Sequence, residues 1–360
     1  MERMILNLCA GLAERVRRLD LVLVRADSAH VTDLPASVRI VNLNARHTFT
    51  SLLPLARYLR RERPSVLLAA KDRAIRVAVV ARVLARVPLR LVGRIGTTVS
   101  AALAGRGAWR LAVWRAGMRL FYPGADLIVA VSQGVADDIV HLAQLAPDRV
   151  RVVPNPVWTP RLERLAREAP AHPWFSEPSV PLVLSAGRLT RQKDFPTLIR
   201  AFAQVRAERP CRLMILGDGG QRDDLLALAK QLGVAEDVAL PGFQANPYAY
   251  VAHASLFVLS SVWEGSPNVL TEALALGIPV VSTDCPSGPR EILAGGRYGK
   301  LVPTGDGDAL ARAMLETLAN PLPRDALMQA ARPYSLEAST RGYLEALAIG
   351  PPPSVESTSA

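Results

Sequence analysis

The sequence has few cysteines and no long apolar run, and each absence argues against a class of protein. Its 360 residues include three cysteines, Cys9, Cys211 and Cys285, which are far apart and form no CxxC pair. This spacing favours neither a disulfide framework nor a zinc site, and it fits a reducing compartment. No apolar run is long enough to predict a membrane-spanning helix, and the first residues lack a signal-peptide pattern. We therefore expect a cytoplasmic protein, either soluble or peripheral on the inner face of the membrane.

Basic residues are concentrated in the first half of the chain. Residues 1–150 carry 23 Lys+Arg against 11 Asp+Glu, a net charge of +12, whereas residues 151–360 carry 20 against 21, a net charge of −1. A basic domain favours an anionic partner, which can be a nucleic acid, an anionic membrane surface or a phosphorylated substrate. The chain has no recognisable reading helix or aromatic sheet motif for nucleic acid, so we expect no nucleic-acid partner.

Apolar, β-branched segments alternate with helical segments along both halves of the chain. This alternation predicts an α/β protein with parallel sheets and helices on both faces of each sheet. The predicted fold is two Rossmann-like, doubly wound parallel-sheet domains. The predicted strands are Asp20–Val24, Val38–Asn42, Val66–Ala69, Leu89–Gly93, Asp126–Val131, Leu182–Ala186, Arg212–Leu216, Val238–Pro241, Leu256–Ser260 and Pro279–Ser282. The predicted helices include Leu52–Glu62, Arg73–Val87, Pro196–Arg209 and Arg222–Leu232.

Three segments outside the alternating strands and helices have a distinctive composition or pattern: a linker, the C-terminal tail and the start of the chain. Trp158–Ser179 is rich in Pro, Arg and Glu and is typical of an interdomain linker, whereas the tail Pro351–Ala360 is typical of disorder. The chain begins with a helical pattern formed by Met4, Leu8, Leu12 and Val16. Because a doubly wound domain normally begins with a central strand, we expect a strand and its loop upstream. The alternative is the loss of an edge strand.

A basic loop follows the first strand of the second half. The strand ends at Gly187 and Arg188, and Lys193 lies a few residues further on. Ligands of open α/β sheets bind beyond the carboxyl ends of the strands, where a glycine allows close approach and two cations can neutralise a diphosphate. Taken alone, such a pair of residues is also typical of an ordinary solvated loop.

Two acids lie on either side of a predicted helix start after the strand Leu256–Ser260. Glu264 precedes the helix, Ser266 or Asn268 is expected to cap it, and Glu272 lies about one turn inside it. Backbone N–H groups at such a start form an anion site. Two acids there would repel a bare phosphate unless each meets hydroxyl groups, so the pattern predicts a nucleotide-sugar site. The alternative is a surface helix with an unrelated acid.

Two further motifs have ordinary structural interpretations. Asp306-Gly307-Asp308 is a literal DxD string, but its place before a predicted helix is typical of a turn and a cap rather than a metal site. Ala108–Phe121 mixes arginine with tryptophan, which indicates either an interfacial helix on anionic lipid or an amphipathic helix packed on its own sheet.

Taken together, these motifs resemble the group 4 retaining glycosyltransferases of GT-B fold. The resemblance is dense over residues 181–319 and weaker in the first half. It rests on Gly187-Arg188 with Lys193, Gly217-Asp218-Gly219-Gly220, Pro241-Gly242-Phe243, Glu264 with Glu272, and Gly277-Ile278-Pro279-Val280-Val281. It implies an acceptor-side domain over residues 1–160, a linker over 161–179, a donor domain over 180–332, a helix over 333–348 that returns to the first domain, and a disordered tail over 349–360.

The resemblance also implies roles for individual residues. Arg188 and Lys193 would bind the donor diphosphate, Glu272 the ribose, and Glu264 the transferred sugar, with Arg188, Lys193 and Glu264 as the catalytic set. The implied donor-binding residues are Gly187, Arg188, Lys193, Glu264, Gly265, Ser266, Pro267, Asn268, Val269 and Glu272. Because the two cations would stabilise the leaving group, no metal and no other cofactor is expected.

The predicted function is retaining transfer of a hexose-type sugar. The donor would be a UDP- or GDP-linked sugar, and the acceptor a membrane-linked or cell-envelope glycan, such as a polysaccharide, a lipopolysaccharide or a lipid-linked oligosaccharide. The basic first domain would face an anionic membrane or a lipid diphosphate. The alternative is a catalytically inactive relative that only binds nucleotide sugar. The first strand of the first domain, which the given sequence does not show, favours this alternative by its absence.

Overall fold

A computed structural model describes residues 2–25, 34–105, 107–176 and 180–350. The predicted disordered tail Pro351–Ala360 lies outside these residues. The chain divides into two compact units. The first contains the described residues of 1–131, 135–156 and 336–360, and the second those of 132–134 and 157–335.

The first unit is built from short parallel strands and the helices that connect them. Its elements in chain order are α1 (Glu2–Ala13), β1 (Leu19–Leu23), β2 (Val38–Asn42), α2 (Leu52–Glu62), β3 (Val66–Ala70), α3 (Asp72–Ala85), β4 (Arg90–Ile95), α4 (Val99–Leu103), α5 (Ala108–Phe121), β5 (Leu127–Ala130), α6 (Gln133–Ala143) and β6 (Val150–Val152). Strands β3–β4–β5–β6 form one parallel sheet, and β1–β2 form a separate parallel pair. A strand upstream of Met1 stays a prediction.

Helix α1 is amphipathic, and its apolar face is buried. Met4, Leu8 and Leu12 recur at helical spacing and pack into one cluster with Val92 of β4 and with Tyr343. Tyr343 belongs to the last helix of the chain, α15 (Leu336–Leu347), which is part of the first unit and contacts α1. The helix predicted at the start of the sequence is therefore confirmed, although it ends at Ala13 and does not include Val16.

The second unit contains a six-stranded parallel sheet covered by helices. Its elements in chain order are α7 (Pro160–Ala166), β7 (Leu182–Ala186), α8 (Phe195–Glu208), β8 (Arg212–Leu216), α9 (Arg222–Gln231), β9 (Val238–Gly242), α10 (Pro247–Ala252), β10 (Leu256–Leu259), α11 (Asn268–Ala275), β11 (Val280–Thr283), α12 (Pro289–Ile292), β12 (Lys300–Val302), α13 (Gly307–Ala319) and α14 (Arg324–Ala331). The residues of β7, β8 and β10 are almost all buried, as expected of strands covered on both faces.

The order of the strands locates the most favourable ligand position of this sheet. The order is β12–β11–β10–β7–β8–β9, so the chain moves outward from β7 in one direction and outward from β10 in the other. Strands β7 and β10 are hydrogen-bonded neighbours, with Leu256 opposite Val183. Connections leave on opposite sides at such a reversal and open a crevice at the carboxyl ends of the two strands. The loops that follow β7 and β10 therefore meet at this crevice.

The predicted linker over residues 161–179 is wrong in its first part. Thr159 caps helix α7 by accepting a hydrogen bond from the Leu162 amide at 3.1 Å, with Pro160 at the first helical position. Leu162 and Ala166 are buried in the core of the second unit. Pro160 thus marks the start of a packed helix, and the second unit begins at Val157 rather than at residue 180.

Leu162→Ala is expected to lower the free energy of unfolding by about 2–5 kcal/mol, because it removes a fully buried side chain from a packed core. Arg164→Ala on the exposed side of the same helix is the matched control and should change it by less than about 0.5 kcal/mol. Chemical denaturation measures both. Equal effects of the two variants would mean that the segment behaves as an unpacked linker.

Two short strands escaped prediction from the sequence. β6 and β12 have three residues each and lie at the edges of their sheets. The ten predicted strands are present, with ends that differ by up to two residues.

No helix in the described part of the chain has the length and hydropathy that crossing a membrane requires.

Candidate functional site

The loop after β7 carries both predicted cations. The side chain of Lys193 passes over Gly187, so that a Cβ atom at position 187 would lie 2.7 Å from its Cε. Glycine at this position therefore makes room for the lysine chain. This is a more specific reason than the close ligand approach expected from the sequence.

The glycine-rich loop Gly217–Gly220 supports this loop from the next strand. Gly217 has φ of +125°, and a Cβ atom there would lie 2.1 Å from the Gly187 carbonyl oxygen. The Gly187 amide donates to Leu216 O at 2.9 Å, and the Leu189 amide donates to Asp218 O at 2.9 Å. The glycines thus let two backbone segments pack together at the carboxyl edge of the sheet.

Lys193 and Glu264 form an ion pair across the crevice between β7 and β10. Lys193 Nζ lies 2.7 Å from Glu264 Oε1, and the same oxygen accepts a hydrogen bond from Ser261 Oγ at 2.7 Å. Their side chains are only 15% and 10% exposed, so the pair is largely withdrawn from water. Buried charges of this kind require a partner and hydrogen bonds, and here each group supplies them for the other.

Further hydrogen bonds hold the two loops in register. Ser260 Oγ donates to the Lys193 carbonyl oxygen at 2.7 Å, and Gln192 Nε2 donates to Trp263 O at 2.9 Å. Thr283 Oγ1, at the end of β11, donates to Ser261 O at 2.6 Å. The lysine and the carboxylate are therefore fixed by backbone contacts on both sides, which limits their motion before any ligand binds.

Arg188 differs from Lys193 because it is exposed. In the part of the chain that the structure describes, its guanidinium forms no ion pair and no hydrogen bond with another side chain. A planar fork of N–H donors beside the crevice of the sheet is well suited to bidentate contact with a phosphate.

Helix α11 begins at Asn268, with Pro267 as its N-cap residue and no side-chain cap. The prediction that Ser266 or Asn268 caps this helix is therefore wrong. Proline at the N-cap has no side-chain acceptor for the first amides of the helix, so the positive end of the helix dipole is left without such an acceptor at this residue.

Glu272 lies inside α11, with its side chain mostly buried. The Tyr248 hydroxyl donates to Glu272 Oε1 at 3.4 Å, which is a long hydrogen bond. Tyr248 belongs to α10, which is capped by Asn246 Oδ1 accepting from the Ala249 amide at 3.3 Å. Glu264 and Glu272 therefore lie before and within the start of α11, as the spacing of the sequence predicted.

The loop between Glu264 and α11 is held by the segment after β11. Ser287 Oγ donates to Gly265 O at 3.0 Å. At Gly288, where φ is +93°, a Cβ atom would lie 2.7 Å from Pro267 Cδ. The predicted loop residues Gly265 and Pro267 are thus packed against a second loop, and Ser266 lies between them.

Two other groups of the second unit have structural roles. Asp306 caps α13 by accepting from the Ala309 amide at 2.8 Å, and Asp308 accepts from Gln204 Nε2 at 2.7 Å. The interpretation of the DxD string as a turn and cap is confirmed.

Burial, followed by the nearby Glu264 carboxylate, raises the pKa of the Cys285 thiol to about 12, so the thiol stays protonated near neutral pH.

Among the described residues, no three His, Cys, Asp or Glu side chains lie close enough together to hold a metal ion. Metal independence of the chemistry stays a prediction.

Several residues of the site were not singled out in the sequence, and three of them contact the two acids or the loop that carries Glu264. These are Ser261, Tyr248 and Thr283. Ser261 stands three residues before Glu264, a spacing that brings a hydroxyl back to a carboxylate in a tight loop, and that signal was available. Tyr248 and Thr283 approach the site from α10 and β11, so only the fold identifies them.

Both halves of the chain match sequence models of known families. The sequence model described as Glycosyltransferase Family 4 matches residues 1–161, and the model described as Glycosyl transferases group 1 matches residues 180–320.

Curated relatives resemble the chain over part of their length. One is the N-acetylgalactosamine-N,N′-diacetylbacillosaminyl-diphospho-undecaprenol 4-alpha-N-acetylgalactosaminyltransferase of Campylobacter jejuni, 36% identical over 222 residues, which are 62% of this chain and 57% of the relative. Another is the lipopolysaccharide core biosynthesis glycosyltransferase LpsE of Rhizobium meliloti, 34% identical over 239 residues, which are 64% of this chain and 66% of the relative. The matched segments thus span less than two thirds of each relative.

Solved structures match over almost the whole chain. HepE of Anabaena, crystallised with UDP, superposes with a TM-score of 0.77 at 20% identity and covers 96% of this chain and 95% of HepE. The lipopolysaccharide outer core galactosyltransferase WaaB in its apo form superposes with a TM-score of 0.72 at 19% identity, covering 96% of this chain and 94% of WaaB. At this identity the likeness establishes the fold.

Proposed function

The chain belongs to the family 4 glycosyltransferases of GT-B fold, and from that premise we propose that it transfers a hexose-type sugar with retention of anomeric configuration. The donor is a nucleoside-diphosphate sugar, and the acceptor is a membrane-linked or cell-envelope glycan. The observation that carries the proposal is the buried Lys193–Glu264 pair at the crevice between β7 and β10, with the exposed Arg188 beside it.

The two cations bind the donor diphosphate in this proposal. Arg188 is exposed, and its guanidinium forms no ion pair and no side-chain hydrogen bond among the described residues, whereas Lys193 offers a point charge whose position is fixed by Glu264. When the bond between the anomeric carbon and the β-phosphate oxygen breaks, negative charge grows on the leaving diphosphate. Cations positioned beforehand stabilise that charge without reorganisation. A divalent ion is then not required for this step.

The two acids contact hydroxyl groups of the donor. Glu264 is held by Lys193 and Ser261 and faces the transferred sugar, while Glu272 accepts hydrogen bonds from the ribose. The backbone groups of Ser266–Val269 at the start of α11 hold sugar hydroxyls and the β-phosphate, and the N–H donors among them belong to Ser266, Asn268 and Val269. Each acid thus meets a neutral hydroxyl rather than a phosphate, which avoids repulsion between like charges.

Retention places the incoming acceptor hydroxyl on the face of the sugar that the diphosphate leaves. The oxygen of the acceptor forms the new bond to the anomeric carbon as the bond to the phosphate breaks. The acceptor proton passes to an oxygen of the departing diphosphate, so no side chain has to act as a base. This chemistry agrees with a site whose carboxylates are both engaged by other groups.

The names of relatives support the donor and the acceptor class. HepE was crystallised with UDP and with UDP-glucose, which favours a UDP-linked donor over a GDP-linked one. The curated relatives are named for lipopolysaccharide core and diphospho-undecaprenol glycans, which favours a lipid-linked acceptor.

The direct test is turnover of a panel of UDP- and GDP-sugars by the purified chain. Release of free nucleoside diphosphate without acceptor, and its increase with lipid-linked oligosaccharide, is the expected result. The anomeric configuration of the product, read by NMR, tests retention, and activity that survives a chelator tests metal independence. Tight donor binding without any release would support the inactive alternative. If none of the donors binds, both the active transferase and the inactive sugar-nucleotide binder are ruled out.

Glu272→Gln is expected to weaken UDP binding by about 10- to 100-fold, because a charged acceptor of ribose hydrogen bonds becomes neutral. Isothermal titration calorimetry measures the change. The matched control is 2′,3′-dideoxyuridine diphosphate, which lacks the ribose hydroxyls and should bind the wild type and the variant alike. An equal loss for both nucleotides would show that Glu272 supports the fold of α11 rather than the ribose.

A further inference from the structure

Helix α5 is apolar on two opposite faces. Its inner face packs on the core of the first unit through the buried Met118 and the partly buried Leu111 and Trp114. Arg76 of α3 stacks on the Trp114 ring at 5.3 Å and so covers the side of the helix next to α3. These contacts account for one face only.

The outer face of α5 carries large apolar side chains in water. Trp109 is 66% exposed, Val113 is 57% exposed and Leu120 is 73% exposed. They are spaced by four and seven residues, which places them along one stripe of the helix. A helix that packs on its own sheet normally exposes polar residues on its outer face. This stripe is therefore not explained by the fold of the first unit.

The charges of α5 are all of one sign. The helix contains Arg110, Arg115 and Arg119 and no acidic residue. Arg110 and Arg119 are exposed beside the apolar stripe, and the Arg110 guanidinium lies 5.5 Å from the centre of the Trp109 ring. An apolar stripe flanked by arginine, with a tryptophan at one end, is the chemistry of a helix that lies in a lipid interface.

We propose that the outer face of α5 docks on an anionic lipid surface, with Trp109, Val113 and Leu120 inserted and the flanking arginines on the headgroups. Helix α5 has 14 residues, about 21 Å at 1.5 Å per residue, so it lies along the surface rather than crossing it. A second copy of the chain is a poorer occupant. In a symmetric pair of α5 helices, arginines would face arginines with no acid on the helix to neutralise them.

This surface deepens the proposed function, since it would hold the enzyme where a lipid-linked acceptor is found. It does not depend on the chemistry of the second unit. Donor binding by calorimetry and vesicle binding by sedimentation therefore report separately. If donor binding is lost and vesicle binding is kept, the proposed function has failed. If vesicle binding is lost and donor binding is kept, the docking proposal has failed.

The experiment is co-sedimentation of the full chain with vesicles of phosphatidylcholine alone or mixed with phosphatidylglycerol. The wild type should bind the anionic vesicles at least about tenfold more tightly than the neutral ones, and less tightly as salt rises. Val113→Glu with Leu120→Glu, and separately Arg110→Gln with Arg119→Gln, should each weaken binding about tenfold or more. Leu226→Glu, on the partly exposed side of α9, is the control and should bind as the wild type does.

Circular dichroism and UDP affinity should be unchanged in all three variants, which separates loss of docking from loss of fold. Equal binding to neutral and anionic vesicles, or unchanged binding by both α5 variants, would overturn the proposal. So would a wild-type dimer in analytical ultracentrifugation that Val113→Glu with Leu120→Glu dissociates, if no vesicle binding accompanies it.

Discussion

Arg188→Ala is expected to lower kcat/KM for sugar transfer by about 100- to 1,000-fold while leaving the melting temperature unchanged. The guanidinium is exposed, and among the described residues it forms no ion pair and no side-chain hydrogen bond whose loss would weaken the fold. If it contacts the leaving diphosphate, its removal takes away charge stabilisation that is strongest in the transition state. Steady-state kinetics with the donor identified by the panel measure the effect.

Arg191→Ala is the matched control for this experiment. Arg191 is an exposed arginine of the same loop, three residues further on, and nothing assigns it to the donor. It should retain activity within about twofold, since an isolated surface charge contributes little. Equal losses in the two variants would point to a general effect of charge on donor attraction. In that case the assignment of Arg188 to the diphosphate would be withdrawn.

Lys193→Met is expected to lower kcat by about 100- to 1,000-fold. Unlike Arg188→Ala, it is also expected to destabilise the second unit. Removing the ammonium leaves the buried Glu264 carboxylate with the Ser261 hydroxyl but without its ionic partner. Breaking a buried pair in this way costs about 3–5 kcal/mol. The free energy of unfolding and kcat should both fall, whereas Lys230→Met on the exposed face of α9 should change neither.

A double-mutant cycle separates the two consequences. Glu264→Gln removes the charge that Lys193→Met leaves unpaired, so the double variant should recover much of the lost stability. Its activity should stay as low as that of Lys193→Met alone, because the cation at the diphosphate is still missing. Recovery of activity together with stability would show that the pair only supports the fold.

The alternation of apolar and helical segments was enough to locate ten strands and the main helices. It succeeded because buried parallel strands are continuous apolar runs, and their composition is imposed by burial on both faces. Edge strands such as β6 and β12 are short and partly exposed, so they carry no comparable signal. The segment after Trp158 was wrongly predicted to be a linker throughout, because proline is common both in linkers and at the first position of a helix.

For the site, the sequence by itself determined which residue types stand after which strands: two cations after β7, one acid after β10 and another within α11. The resemblance to the group 4 glycosyltransferases rests on the same motifs. Only the tertiary structure decided which of these groups meet. Lys193 and Glu264 are 71 residues apart, and they form a pair because β7 and β10 are neighbours where the strand order reverses. The structure also separated Lys193, already engaged by a carboxylate, from the exposed Arg188. Only the tertiary structure shows that one apolar face of α5 is exposed. Periodicity in the sequence identifies an apolar stripe, but it does not tell whether that stripe packs on a sheet or faces the solvent.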